Sequence, residues 1–281
     1  MKAILLTLGA VALWSTNAAV GRAALSSLNV EQVQVLQFLG ATFVFAAAGG
    51  FRVVWSPRSA AAAALGLIGV TGTMVFQYLS FAAGPIAEVN VVAYAWPLIA
   101  AIVLILLGTV ARPIRYILLT LVGFVGASLI VGPYSAGTSH GSHDGHLWAV
   151  ASAVCMAAYT SLIGRFSIDQ NFAHLVGSLA GLALAVIWCF TNGMTIPAPS
   201  SSVFWVALYL GIGPIGLGYL LWARGMRADV TGKLATLGYL TPVASTGLLL
   251  VAGEKMSNSV LLGSLVVIAA CITLGLEQSD A

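Results

Sequence analysis

The sequence predicts an all-α integral membrane protein of ten transmembrane helices, built as two inverted five-helix repeats with both termini in the cytoplasm. Three observations predict it: a composition short of charge, a series of apolar runs near the length of a membrane span, and landmarks from the first half that recur in the second.

Of the 281 residues, 60% are hydrophobic and 7% charged, and mean hydropathy is +1.02. Soluble domains carry roughly 25% charged residues. Eleven basic and eight acidic side chains cannot cover a water-facing surface of this size, so the solvent is mostly lipid. In lipid every backbone polar group needs a partner inside the protein, which leaves helices or a closed barrel. Barrel strands alternate over about ten residues. The runs here approach 20 residues and are rich in Ala, Leu and Gly, so helix is the reading. A net charge of +3 provides no clustered basic face for nucleic acid. Cys155, Cys189 and Cys271 lie inside apolar runs and read as small buried hydrophobes, without disulfide or metal spacing.

A helix needs about 20 apolar residues to cross the hydrocarbon core. The first half holds runs at 3–21, 32–51, 60–81, 86–110 and 114–132. The second holds runs at 147–164, 172–192, 202–223, 229–251 and 258–276. Lys2 and the apolar run behind it have the outline of a signal peptide. Trp14 and Asn17 interrupt that run and the segment recurs later, so it is read as the first membrane helix. The Gly, Ser and Pro content of 132–145 marks a loop. It sets a first repeat at 1–132, an outer linker at 133–145 and a second repeat at 146–281. With the N-terminus in the cytoplasm, the inner segments hold Lys2, Arg52, Arg58, Arg112, Arg115, Arg165, Arg224, Arg227 and Lys233. The outer segments hold Arg22 and Lys255. That is a strong positive-inside bias, and ten spans return the C-terminus to the cytoplasm.

The landmarks recur at nearly constant offset. Gly21-Arg22 closes the first helix and Gly164-Arg165 the sixth. Tyr78-Leu-Ser-Phe81 before Ala87-Glu88-Val89 matches Tyr219-Leu-Leu-Trp222 before Ala228-Asp229-Val230. Tyr94-Ala-Trp-Pro97 matches Tyr239-Leu-Thr-Pro242. Five spans per half force the halves into opposite orientations. Inverted repeats are a recurring plan in transporters, with the substrate site near the midplane between them.

Two five-helix halves, Leu13-Trp14-Ser15-Thr16 in helix 1, and Pro97 and Pro242 in helices 4 and 9 resemble the drug/metabolite transporter superfamily with EamA-type domains. Within it, Glu88-Val89, Val92, Tyr94-Ala-Trp-Pro97 and Gly238-Tyr239-Leu-Thr-Pro242-Val243 are similar to YddG-type aromatic amino acid exporters. That group tends to carry a Trp where this chain has Met156, three residues before Tyr159. The resemblance implies export of metabolites such as amino acids by a multi-pass protein of a bacterial inner membrane.

Ionisable residues deep in the spans are almost absent, which favours uncoupled, gradient-driven movement over ion coupling. The polar handles are neutral. Asn90, Tyr94, Pro97 and Ala101 fall on one face of helix 4, and Ala235, Tyr239, Pro242 and Thr246 on the equivalent face of helix 9. Each proline removes a helix hydrogen bond and disturbs the carbonyl four residues earlier, Ala93 or Gly238. The expected substrate cavity is lined by Trp14, Asn17, Tyr78, Asn90, Tyr94, Trp96, Pro97, Tyr159, Trp222, Tyr239 and Pro242. Aromatic walls suit a mostly apolar ligand fixed by a few polar groups and attract an ammonium through the ring faces. Two ion pairs, Arg22–Glu88 outside and Arg165–Asp229 inside, are candidate gates, related by the repeat. The alternative for these charges is a solvated interface, and for the aromatics an interfacial belt.

His140, His143 and His146 lie in the outer loop and read as solvated rather than metal-binding. No cofactor or metal is expected, and no nucleophile–base constellation for an enzyme. The expected partners are a small-molecule substrate and the lipid bilayer, with the chain working as a monomer. The main expectation is export of amino acids or similar metabolites, aromatic ones favoured, by alternating access. Multidrug efflux of hydrophobic cations is the competing transport reading, and a membrane scaffold or receptor the reading from another class.

Overall fold

The computed structural model describes residues 1–51, 57–84, 86–110, 112–131, 143–163, 168–229, 233–251 and 258–276. Among them there is helix and no strand. α1 (Lys2–Trp14), α2 (Asn17–Leu25) and α3 (Val30–Ala47) open the chain. α4 (Pro57–Gly66) passes through a π-helical segment, Leu67–Gly72, into α5 (Thr73–Ala83). α6 (Ile86–Ala93), α7 (Trp96–Leu106) and α8 (Pro113–Val131) follow. α9 (His143–Ile163) and α10 (Gln170–Thr191) begin the second half. α11 (Ser202–Leu210) passes through a second π segment, Gly211–Leu217, into α12 (Gly218–Ala228). A 3₁₀ segment, Lys233–Tyr239, leads into α13 (Leu240–Val251), and α14 (Asn258–Leu276) ends the described chain.

Helix occurs in each of the ten apolar runs. Seven of the described helices are long and apolar enough to cross a membrane, counting Lys2–Leu25, Arg58–Ala83 and Ser202–Ala228 as continuous. Large apolar side chains face outward along them, Phe43, Ile114 and Phe190 among them. Polar side chains such as Gln34, Gln37 and His174 are fully buried. That inversion suits a lipid solvent, which costs apolar groups nothing and polar groups several kcal/mol each.

Some boundaries differ from the sequence reading for local reasons. The first helix does not close at Gly21-Arg22; it runs on to Leu25, with Arg22 exposed on its surface. α9 starts at His143, four residues early. Asp144 in its first turn suits the positive helix end, and Gly145 packs on the Gly84 backbone. The rest of the linker lies outside the described residues. Local chemistry sets other ends. Asp169 caps α10 by accepting the N–H groups of Asn171 and Phe172 at 3.0 and 3.1 Å. Gly108 and Gly193, at φ 68° and 67°, end α7 and α10 in the left-handed region that glycine enters freely.

Four helix pairs make the main contacts: α3 with α10, α8 with α14, α1 with α12, and α5 with α9. Each π segment lies on the helix that precedes its counterpart in the other half. Leu67–Gly72 lies on α10, and Gly211–Leu217 lies on α3. Glycine makes this approach possible. A Cβ at Gly66 would collide with the Ala173 backbone, and one at Gly211 with the Gln37 backbone.

Candidate functional site

Aromatic rings from six helices meet in the middle of the fold. Trp222 of α12 lies 4.8 Å, centroid to centroid, from Trp14 of α1 and 5.4 Å edge-on from Trp96 of α7. Tyr219, one turn earlier on α12, lies 5.9 Å from Trp14 and 5.3 Å from Tyr159 of α9. Beyond Tyr159 the chain of rings continues to His174 of α10, stacked at 4.8 Å on Phe45 of α3. Such pairs are worth about 0.5–1.5 kcal/mol each beyond the area they bury.

The polar tips of Trp14, Tyr219, Trp222 and Tyr159 are satisfied inside the protein. Trp14 donates its indole N–H to the Pro214 carbonyl at 2.9 Å. The Tyr219 hydroxyl donates to the Gly69 carbonyl at 3.1 Å. Both acceptors lie in π segments. Trp222 donates to the Thr160 hydroxyl at 3.1 Å, and the Tyr159 hydroxyl bonds His174 Nε2.

Above part of this layer is a cavity with about 720 Å³ of unfilled space, counted out to its open mouth. Trp14, Trp96, Tyr219, Met74 and Met156 form its apolar side. Asn17, Gln77, Asn90, Ser152, Thr241 and Ser245 supply neutral polar groups. None of the described residues around it carries a charge.

The structure divides the eleven sequence-selected cavity residues into groups. Trp14, Asn17, Asn90, Tyr94 and Trp96 line the cavity. Tyr78, Tyr159 and Trp222 are fully buried one layer back. Tyr78 donates to Asn17 Oδ1 at 3.1 Å, and Trp222 supports both Trp14 and Trp96. Pro97 and Pro242 are buried outside the cavity wall. Tyr239 packs with Ala127, Ile130 and Val267 between α8 and α14, its ring against Gly123.

Backbone geometry explains this division. Helix 4 is interrupted at Tyr94–Ala95, where the Ala95 N–H bonds the Val92 carbonyl rather than one residue further back. Pro97 is therefore second in a new helix, where a missing N–H costs little. The stripe that ran straight down the sequence turns at that point, and Trp96 takes the cavity position. On the other side Pro242 is third in α13, and Tyr239 ends a 3₁₀ segment whose tighter winding turns it away.

Sequence reasoning passed over Gln77, Tyr219, Ser152 and His174. Gln77 had a usable signal, a lone amide in an apolar run beside Tyr78. Tyr219 was a landmark of the repeat without being placed at the site. Of the gate charges, Arg165 lies outside the described residues, as does the Glu88 side chain. Arg22 is exposed, and Asp229 Oδ2 accepts the Leu234 N–H at 2.8 Å. His140 lies outside the described residues. Among the described residues, no three His, Cys, Asp or Glu side chains converge as a metal site would need.

Comparison with known proteins settles the family. Residues 143–276 match the EamA-like transporter family. The chain is 30% identical over 213 residues to the aromatic amino acid exporter YddG of Ancylobacter novellus, covering 75% of this chain and 72% of that one. The chain belongs to the EamA-like transporter family, within the drug/metabolite transporter superfamily. A crystal structure 28% identical in sequence superposes with a TM-score of 0.83 over 98% of this chain and 96% of that one. The EamA chain described here is thus a multi-pass membrane protein of the exporter class, and family membership points to transport rather than to an enzyme.

Proposed function

We propose that this protein exports amino acids or closely related metabolites across a bacterial inner membrane, with aromatic amino acids favoured. The observation that carries the reading is the uncharged cavity with an aromatic floor, in a relative of an aromatic amino acid exporter. Ring faces suit an apolar side chain, and neutral amides and hydroxyls suit a zwitterion's polar end.

The mechanism is alternating access between two inverted five-helix repeats, 1–132 and 146–281, with ten crossings. Supporting this, the main helix pairings map onto themselves when each span is exchanged for the one five later: α1 with α12 becomes α9 with α5. The π segments sit at matching places, and their capped carbonyls, Gly69 and Pro214, are 145 residues apart. With Lys2 in the cytoplasm, the cavity runs from the midplane outward. The Trp222–Thr160 and Tyr159–His174 contacts then close the inner side, which supports reading this as an outward-facing form. Arg22–Glu88 and Arg165–Asp229 act as the outer and inner gates.

Proteoliposomes holding the pure protein, loaded with labelled phenylalanine, threonine or a quaternary ammonium dye, test the reading. Phenylalanine release without a proton gradient, lost in Trp96→Ala, is the expected result. Release of the dye alone overturns it in favour of multidrug efflux.

A further inference from the structure

The cavity's polar side has a direction, and that direction selects a chemical group. Tyr78 is fully buried, so its hydroxyl proton must go to an acceptor within the protein. The acceptor is Asn17 Oδ1, 3.1 Å away. With its oxygen held by Tyr78, Asn17 turns its Nδ2 toward Gln77 and donates to Oε1 at 3.3 Å. Gln77 lines the cavity, and with its oxygen engaged by Asn17 its Nε2, with two N–H groups, is the end left to donate. Gln34, fully buried on α3, donates to the Met74 and Val75 carbonyls at 3.5 and 3.4 Å. That fixes the turn of α5 from which Gln77 projects.

We infer that the relay Tyr78 to Asn17 to Gln77 builds a subsite for the carboxylate of the transported molecule, with the Gln77 amide nitrogen as the group that touches it. This rests on the transport reading above and adds which end of the substrate faces which wall. A donor-only edge favours an anionic oxygen and repels an ammonium. Chained hydrogen bonds polarise one another, so the terminal N–H is a stronger donor than an isolated amide. The ammonium is left to the faces of Trp14 and Trp96, where cation–π attraction operates. Tyr78 and Asn17 are positioning residues: they act through the orientation of Gln77.

The test is ligand binding to the purified full-length protein, read by quenching of tryptophan fluorescence, alongside phenylalanine release from proteoliposomes. The probes are 3-phenylpropionate, which keeps the carboxylate, and phenethylamine, which keeps the amine. The wild type should bind 3-phenylpropionate about tenfold more tightly than phenethylamine, the scale of one hydrogen bond to a charged group. Gln77→Glu should reverse that order. Tyr78→Phe should shrink the preference several-fold, a change in ratio that general destabilisation does not produce. Gln77→Met, near in size and without donors, serves where Gln77→Glu does not fold, and should abolish the preference. An unchanged ratio in the Gln77 variants overturns the subsite, and if phenylalanine is still released the transport reading stands. Failure of phenylalanine release with the ratio still under Gln77 control overturns the transport reading alone. Absence of binding by either probe overturns the subsite, and overturns the transport reading as well where phenylalanine release also fails.

Discussion

The indole N–H of Trp14 donates to the carbonyl of Pro214 at 2.9 Å, joining the first helix to the π segment of the eighth. A second bond, from the Tyr219 hydroxyl of α12, reaches Gly69 in the π segment between α4 and α5. A cavity-lining ring and a local widening of helix are thereby one structural unit. Removing the donor while keeping a ring should weaken it. Trp14→Phe and Tyr219→Phe should each cost roughly 1 kcal/mol, at the upper end of interhelical hydrogen bonds in membranes. Thermal unfolding in detergent measures this, and an unchanged midpoint in both variants would show that the bonds contribute nothing.

Close backbone contact beside the π segments requires glycine there, whereas a glycine in open space is replaceable. Gly66→Ala drives a methyl group into the Ala173 backbone and should lower stability by about 1–3 kcal/mol. Gly247→Ala in α13 meets no atom within 4 Å and should be neutral or stabilising by up to about 1 kcal/mol. Folded yield and unfolding midpoint of the two variants decide the matter, which turns on opposite signs.

Tyr159 and His174 share a fully buried hydrogen bond beneath the cavity. Tyr159→Phe and His174→Gln should therefore be non-additive, with a coupling of about 0.5–2 kcal/mol in a double-mutant cycle. Additive effects would mean that the two side chains act independently.

Arg165→Asp and Asp229→Arg should each reduce transport several-fold if the pair closes the inner mouth. The double exchange should recover part of it. Recovery is partial because Asp229 also holds the Leu234 N–H, a role arginine cannot fill. No recovery in the double variant would leave Asp229 as a cap for the 3₁₀ segment and nothing more.

Some of the candidate site could be read along the chain. Asn90, Tyr94 and Trp96 reach the cavity from a short stretch of helix 4, and Trp14 and Asn17 from one turn of helix 1. These are bulky or polar residues in apolar runs, and in lipid such residues turn inward whatever the details of packing. Tyr239 shows where that reasoning stops. Its position in the repeat matches Tyr94, yet 3₁₀ winding places it against Gly123. Periodicity assumes one uniform helix, and each interruption changes the face downstream.

Composition and run length by themselves determined the helical membrane class, because lipid leaves few ways to satisfy a backbone. Charge asymmetry and repeated landmarks supplied the expected topology and the resemblance to a transporter family. Tertiary structure alone decided which rings form the floor, which stand behind it, and that Gln77 rather than Tyr78 faces the cavity. Those outcomes depend on π and 3₁₀ segments, and on hydrogen bonds such as Trp14 to Pro214 that join residues 200 positions apart. A local pattern records which residues avoid lipid; only the packed fold determines what they meet once inside.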